Sequence, residues 1–288
     1  MTPSILALPL RRGVRQGFLV SLALLLAAAL TFGPPAAGGA TAAGNRAGTA
    51  PRALVLAPFA TDWGDVATNQ QIASLLTQAG FAVTVYQDSQ VTVPVMKTLS
   101  RYAFIYVATH VGPLPNGDAA LATADTRHMK YQKYLNNYSL AEMHILHNGA
   151  MRWFDAANGR FIHFYDGQFP AHTVVLTNAC NTADMPLFWH YLKQAGVGTL
   201  IGWHHHIYSG DGDRTALTLL QSMLRGESMS QAVKDVIAAG ESVSPVAGQK
   251  KPGTLDMMGD GTVTLQRITG VAPAPVTPPS TGSGGSPY

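Results

Sequence analysis

Two apolar stretches dominate the hydrophobicity pattern of this chain: residues 172–182 (HTVVLTNACNT) and residues 103–110 (AFIYVATH). Residues 173–176 lack strict polar alternation, and the start of the second stretch has the same character, which is how strands buried on both faces of a parallel sheet read. Residues 53–58 (ALVLAP), 81–86 (FAVTVY) and 197–203 (VGTLIGW) predict three further strands. Helical spacing separates these runs. Residues 69–79 carry Ile72, Leu75, Leu76 and Ala79 ahead of Gly80, where a helix stop belongs. Residues 93–99, with Pro94 near the first turn, predict a short helix. Residues 186–194, closed by Gly196, predict another, and residues 214–224 and 229–239, parted by Gly226, two more. Residues 262–268, after the turn Gly259-Asp260-Gly261, read as a late strand.

Strands and helices in alternation indicate an α/β fold with a doubly wound, mostly parallel sheet. The alternation lapses between Val111 and Phe169. There, residues 138–146 carry a helical pattern, and residues 151–165 suggest a hairpin turning at Asn158-Gly159, a dipeptide that tolerates positive φ. An insertion spanning about 113–170 therefore parts the two dominant strands, where it would cover a site or carry a processing loop.

Composition narrows the class. Of 288 residues, 47% are hydrophobic and 12% charged, well under the usual charged share of about 25%, so the chain has the makings of a packed domain. Arg11, Arg12 and Arg15 precede an apolar run over 18–30 and a small-residue stretch holding Ala40-Thr41-Ala42, the layout of a secretory signal peptide over 1–42. The run is shorter than the ~20 residues of a spanning helix, so a membrane is expected only if the segment stays uncleaved. A linker over 43–52, one domain over 53–269 and a Pro/Gly/Ser tail over 270–288 complete the organisation. The three leader arginines account for the whole formal charge of +3. No basic cluster remains to suggest nucleic acid.

Functional groups collect beyond the carboxyl ends of strands in open α/β sheets, so neighbouring strands ending near His110 and Cys180 would present both at one edge. An exported chain with one cysteine has no internal disulfide to make. Cys180 follows Asn178-Ala179 at a strand end instead of lying inside the apolar run, which favours a reactive thiol over a small buried hydrophobe. Consecutive strand residues point to opposite faces, so His204, His205 and His206 cannot converge on one ion. His144 and His147 would share a helical face, yet no HExxH pattern accompanies them. No metal or other cofactor is expected.

The chain resembles the caspase-like cysteine peptidases, closest to their bacterial gingipain-like and CHAT branches. The resemblance rests on Tyr106-Val-Ala-Thr-His110-Val-Gly112, Val175-Leu-Thr-Asn-Ala-Cys180-Asn-Thr182, the run 196–203 (GVGTLIGW) and Met258-Gly-Asp-Gly261, and spans about residues 53–268. It implies a caspase-like (caspase-hemoglobinase) three-layer sandwich with a mostly parallel central sheet, acting as an exported cysteine endopeptidase on peptide or protein substrates. Cys180 would be the nucleophile and His110 the general base and acid. Backbone N–H groups of Cys180 and Gly112 would hold the oxyanion, although His110-Val111-Gly112 replaces the family's His-Gly, so the second donor is either Val111 or Gly112. The resemblance also implies a pocket for the side chain before the scissile bond, built from the loops after the first strand and after the strand following the nucleophile. Those loops offer Asp62 and Asp65, then Trp203, His204, Asp211 and Asp213. Charge complementarity points to a basic residue there, while Gly210-Asp211-Gly212-Asp213 reads equally as turn-forming aspartates.

Two other readings compete. A glutamine-amidotransferase-like hydrolase wants small residues around its cysteine and a later histidine; Asn178 and Thr182 flank Cys180, and His110 precedes it. A caspase-like or CHAT-type binding module with a silent site needs no chemistry, and the extra Val111 favours it.

Overall fold

The computed structural model describes residues 49–126, 131–137 and 139–272. The signal segment over 1–42, most of the linker and the tail beyond 272 lie outside the described residues. No described helix is long and apolar enough to cross a membrane.

In chain order the elements are β1 (Arg52–Ala57), α1 (Ala60–Trp63), α2 (Val66–Gln78), β2 (Ala82–Gln87), β3 (Phe104–Ala108), β4 (Val111–Pro113), β5 (Ala119–Thr126) and α3 (Gln132–Asn136). They continue with β6 (Leu140–His147), β7 (Ala150–Asn158), α4 (Gly159–Tyr165), β8 (Val174–Asn178), α5 (Pro186–Gln194) and β9 (Thr199–His204). The last are α6 (Ser209–Leu224), α7 (Met229–Ala238), β10 (Val243–Ser244), β11 (Gly253–Gly259) and α8 (Leu265–Thr269).

The main sheet has seven strands in the order β10-β11-β9-β8-β3-β1-β2. Pairing is parallel from β2 through β9 and antiparallel at β11 and β10. β3 and β8 are buried along their whole length because both faces of the sheet are covered. The period-2 alternation of side chains divides each strand between two cores. Ala53, Val55, Phe104, Tyr106, Val174, Leu176 and Ile201 pack with Ile72 and Leu76 of α2, Leu219 and Leu220 of α6, and Ala232 and Val236 of α7. Leu54, Leu56, Ile105, Val107, Val175 and Leu200 face the opposite way, toward Phe161 and Ile162 of α4 and Phe188 and Leu192 of α5. The result is an α/β fold with a mixed, mostly parallel sheet between helices.

The insertion builds a second, antiparallel sheet of four strands in the order β4-β5-β7-β6. Three local expectations change here and at the C-terminal end. Residues expected as a helix around 138–146 form β6, paired with β7 over eight registered positions. Exposed Leu146, Met151 and Trp153 break the polar alternation that would have marked these strands. The hairpin turns at Asn148-Gly149, with φ of 50° and 72°, not at Asn158-Gly159. Asn158 instead caps α4, its Oδ1 accepting the Phe161 N–H at 2.9 Å, and buried Asp118 accepts the Gly159 and Arg160 N–H groups.

Residues 262–268 form a cap and α8 where a strand was expected, because Thr264 Oγ1 accepts the Arg267 N–H at 3.1 Å. The late strand is β11, which precedes the Gly259-Asp260-Gly261 turn. The short helix expected over 93–99 is two 3₁₀ turns, Val95–Lys97 and Leu99–Arg101.

Candidate active site

β3 and β8 are parallel neighbours in a register that sets Tyr106 opposite Leu176 and Ala108 opposite Asn178. Two residues further along each strand stand His110 and Cys180, on the face of the sheet that carries Tyr106 and Asn178. The Thr109 N–H donates to the Asn178 carbonyl at 3.3 Å, continuing the ladder past the strand ends. His110 and Cys180 line one cavity of about 90 Å³ with Trp63, Thr109, Asn178, Ala179, Ile207 and Ser209.

The cysteine sits in a short, tied turn. Asn181 adopts the left-handed region at φ 58°, and its N–H donates to the His205 carbonyl at 2.8 Å. The Ile207 N–H points at Cys180 Sγ at 3.5 Å, and the Ile207 carbonyl lies 3.9 Å from the sulfur. Burial pushes the thiol pKa up, against the lowering effect of the Ile207 N–H. His110 is half-buried with its ring edge-to-face against Phe59 and Trp63, at centroid separations of 5.1 Å and 4.9 Å. Burial lowers its pKa, Asp62 opposes that, and His147 adds to it. Burial thus disfavours the charged form of both groups.

No protein-family description matches this sequence, and no curated protein does. Among solved structures, the protein GSU0716 from Geobacter sulfurreducens is 12% identical over 76% of this chain and 96% of its own, with a TM-score of 0.38. A likeness that loose carries no argument about fold or chemistry.

The accessory sheet treats the two backbone N–H groups after His110 differently. The Ala122 N–H donates to the His110 carbonyl at 3.0 Å, and β4 and β5 pair Val111 with Leu121 and Gly112 with Ala120. Hydrogen-bonded pairs alternate in an antiparallel ladder, so Gly112 stands at a bonded position and Val111 at a non-bonded one, its N–H directed away from β5. The ladder thus takes up the Gly112 N–H and not that of Val111, and neither residue lines the cavity.

The six residues expected to form a substrate pocket are not among those lining the cavity, and each has other partners. Asp62 is paired with His147. Asp211 lies in the first turn of α6, where it pairs with Arg214 and accepts from Ser244 Oγ. That helix begins at Ser209, five residues before the expected start, so Asp211 and Asp213 sit in helix, not in a turn. Trp203 is buried, its N–H donating to Thr182 Oγ1 at 3.1 Å. His204 is held between Asp184 Oδ1 at 2.7 Å and Asp256 Oδ2 at 3.2 Å, and its hydrogen bond to Asp184 raises its pKa. His144 stacks on Trp153 at 4.6 Å while His147 turns to Asp62, so the pair has no shared face on what is a strand. Among the described residues, no group of three or more His, Cys, Asp or Glu side chains could hold a metal ion.

Asp65 and Asp213 are buried, and their carboxyl groups act on each other. Asp213 Oδ1 accepts from Tyr106 Oη at 2.8 Å and from Asn178 Nδ2 at 2.8 Å. Burial first, then the neighbouring Asp213 charge, pushes the Asp65 pKa up to about 7; burial raises Asp213 as well. Two buried carboxyl groups this near disfavour each other's charge, and the strand end carrying Asn178 is tied to Asp213. Sequence reasoning missed this network. Its signal was a tyrosine inside one buried strand and an asparagine at the end of the next, since both needed partners.

Gly212 shows how closely α6 meets this strand end. A Cβ there would lie 1.9 Å from Asn178 Oδ1, whereas one at Gly210 meets nothing within 4 Å. Gly212→Ala is expected to cost about 1–3 kcal/mol in chemical denaturation and to displace Asn178. Gly210→Ala, on the same helix turn, is expected to be near neutral.

Proposed function

We propose that the protein is an exported cysteine endopeptidase with a caspase-like fold, hydrolysing peptide bonds through His110 and Cys180. The observation that carries this reading is the shared cavity: His110 and Cys180 each stand two residues past the ends of adjacent parallel strands and line the same space. The parallel run β2-β1-β3-β8-β9, closed by antiparallel β11, supports the caspase-like assignment of fold.

In this mechanism His110 takes the Cys180 proton as the sulfur attacks the substrate carbonyl. This gives general-base activation on substrate binding, in keeping with burial that disfavours the charged form of each group. The Cys180 N–H and the Val111 N–H are the backbone donors for the oxyanion. The imidazolium then protonates the leaving amine, and the neutral ring activates the water that releases the acyl group. Basic side chains before the scissile bond draw no support from the cavity lining, which carries no carboxylate. A caspase-like binding or scaffold module is the second reading, favoured by the placing of Gly112 in the β4–β5 ladder.

Cleavage of a mixed peptide library by wild type and Cys180→Ala separates the two. Cleavage that disappears in Cys180→Ala supports the peptidase; a wild type that cleaves nothing supports the module.

A further inference from the structure

One carboxylate fastens the turn that carries Cys180 to the end of β9. Residues Thr182–Asp184 form a 3₁₀ turn just past the cysteine, and the Asp184 N–H donates to the Asn181 carbonyl at 3.0 Å. The two oxygens of the Asp184 side chain have separate partners. Oδ2 accepts the His205 N–H at 2.7 Å, and Oδ1 lies 2.7 Å from His204 Nδ1. The His205 carbonyl in turn accepts the Asn181 N–H at 2.8 Å, which closes a ring of hydrogen bonds beside the nucleophile. Two residues on, the Ile207 N–H points at Cys180 Sγ at 3.5 Å, so the path of the chain after His205 also decides what the sulfur faces. His205 holds a left-handed φ of 59°, which L side chains disfavour and which its bond to Asp184 helps to keep.

The other ring nitrogen of His204, Nε2, stands 3.2 Å from Asp256 Oδ2 of β11. A carboxylate oxygen only accepts, so both contacts need a hydrogen on the ring, and the imidazolium alone carries two. We propose that Asp184 is the positioning residue for Cys180, holding the nucleophile's turn to the end of β9, and that His204 braces it from β11 as an imidazolium. The proposal rests on reading Cys180 as the nucleophile. The titratable groups against His204 are Asp184 from the turn, Asp256 from β11 and the adjacent His205. The His205 ring centroid is 6.3 Å away, and its Nδ1 lies 3.6 Å from Asp184 Oδ2. The hydrogen bond to Asp184 first, then burial in the opposite sense, then the bond to Asp256 leave the His204 pKa above its ordinary 6.5. The brace is therefore complete below about pH 6.5 and weakens as pH rises through the raised value.

The test follows the His204 ring and the Asn181 and His205 amides by NMR across pH in the full-length protein, beside steady-state cleavage of a library peptide. His204 is expected to titrate above 6.5 in the wild type and to fall back toward that value in Asp184→Asn and in Asp256→Asn. The two amide resonances should follow the ring's midpoint in the wild type. In Asp256→Asn they should lose that inflection, because a neutral ring can donate to Asp184 and accept from the new amide. Asp184→Asn is expected to move both amides upfield and to lower kcat about 10- to 100-fold with KM little changed, as a misplaced nucleophile does. A His204 midpoint at or below 6.5, amides indifferent to Asp184→Asn, or a raised KM with kcat unchanged would overturn the proposal. A wild type without Cys180-dependent cleavage would instead defeat the peptidase reading, while the ring and amide titrations still decide whether Asp184 and His204 hold the turn.

Discussion

His110→Ala is expected to slow peptide hydrolysis by about 10²- to 10⁴-fold, the usual worth of a positioned general acid-base. The fall should appear in kcat, with KM little changed, because an imidazole that only moves protons contributes to the transition state and not to ground-state binding. Stability should change little. The ring is half-buried and makes edge-to-face contacts with Phe59 and Trp63, without a role in either main core. In Cys180→Ala,His110→Ala the loss should be no greater than in Cys180→Ala alone, since the two residues act as one unit. Steady-state kinetics on a cleaved library peptide checks both statements.

Asp213→Ala is expected to be the most damaging change to stability near the site, at about 3 kcal/mol. It leaves the Tyr106 hydroxyl without its acceptor and removes one of three acceptors of the Asn178 amide, in a region with no water access for the tyrosine. It should also change how stability responds to pH. The raised pKa of Asp65 means that the folded protein holds a proton that the unfolded chain releases near its ordinary value of 3.8. The stability from this proton is fully present below about pH 4 and is lost as pH rises through about 7. Removing Asp213 takes away a like charge that pushes Asp65 up, so the decline between those limits should flatten. Denaturant midpoints of wild type and variant from pH 4 to 8 measure this.

The parts of the fold that were legible in sequence are those buried on both faces. β1, β3, β8 and β9 carry continuous apolar runs because helices cover both sides, and α5 matches its expected bounds from Pro186 to Gln194. The accessory sheet was not legible. Its strands are partly open to solvent and still carry Leu146, Met151 and Trp153, so neither a period of 2 nor one of 3.6 stands out. The Asn148-Gly149 dipeptide was the available signal, and Asn158-Gly159 competed with it; an asparagine before a glycine serves a helix cap as well as a turn.

The candidate site divides the same way. His110 and Cys180 could be found because each ends a buried strand, but their register was beyond sequence, since parallel pairing joins segments separated by a whole insertion. Trp63, Ile207 and Ser209 line the cavity from segments with no motif of their own. The four aspartates looked like free charge in loops. Tertiary packing gives each a partner: His147, Arg214, or one another.

A thiol-reactive peptidyl probe tests the central claim most directly, with mass spectrometry locating the adduct. A covalent adduct on Cys180 of the wild type that forms far more slowly in His110→Ala is the outcome expected of a thiol activated by its neighbour. A wild type that stays unlabelled, or a labelling rate indifferent to His110, would contradict it.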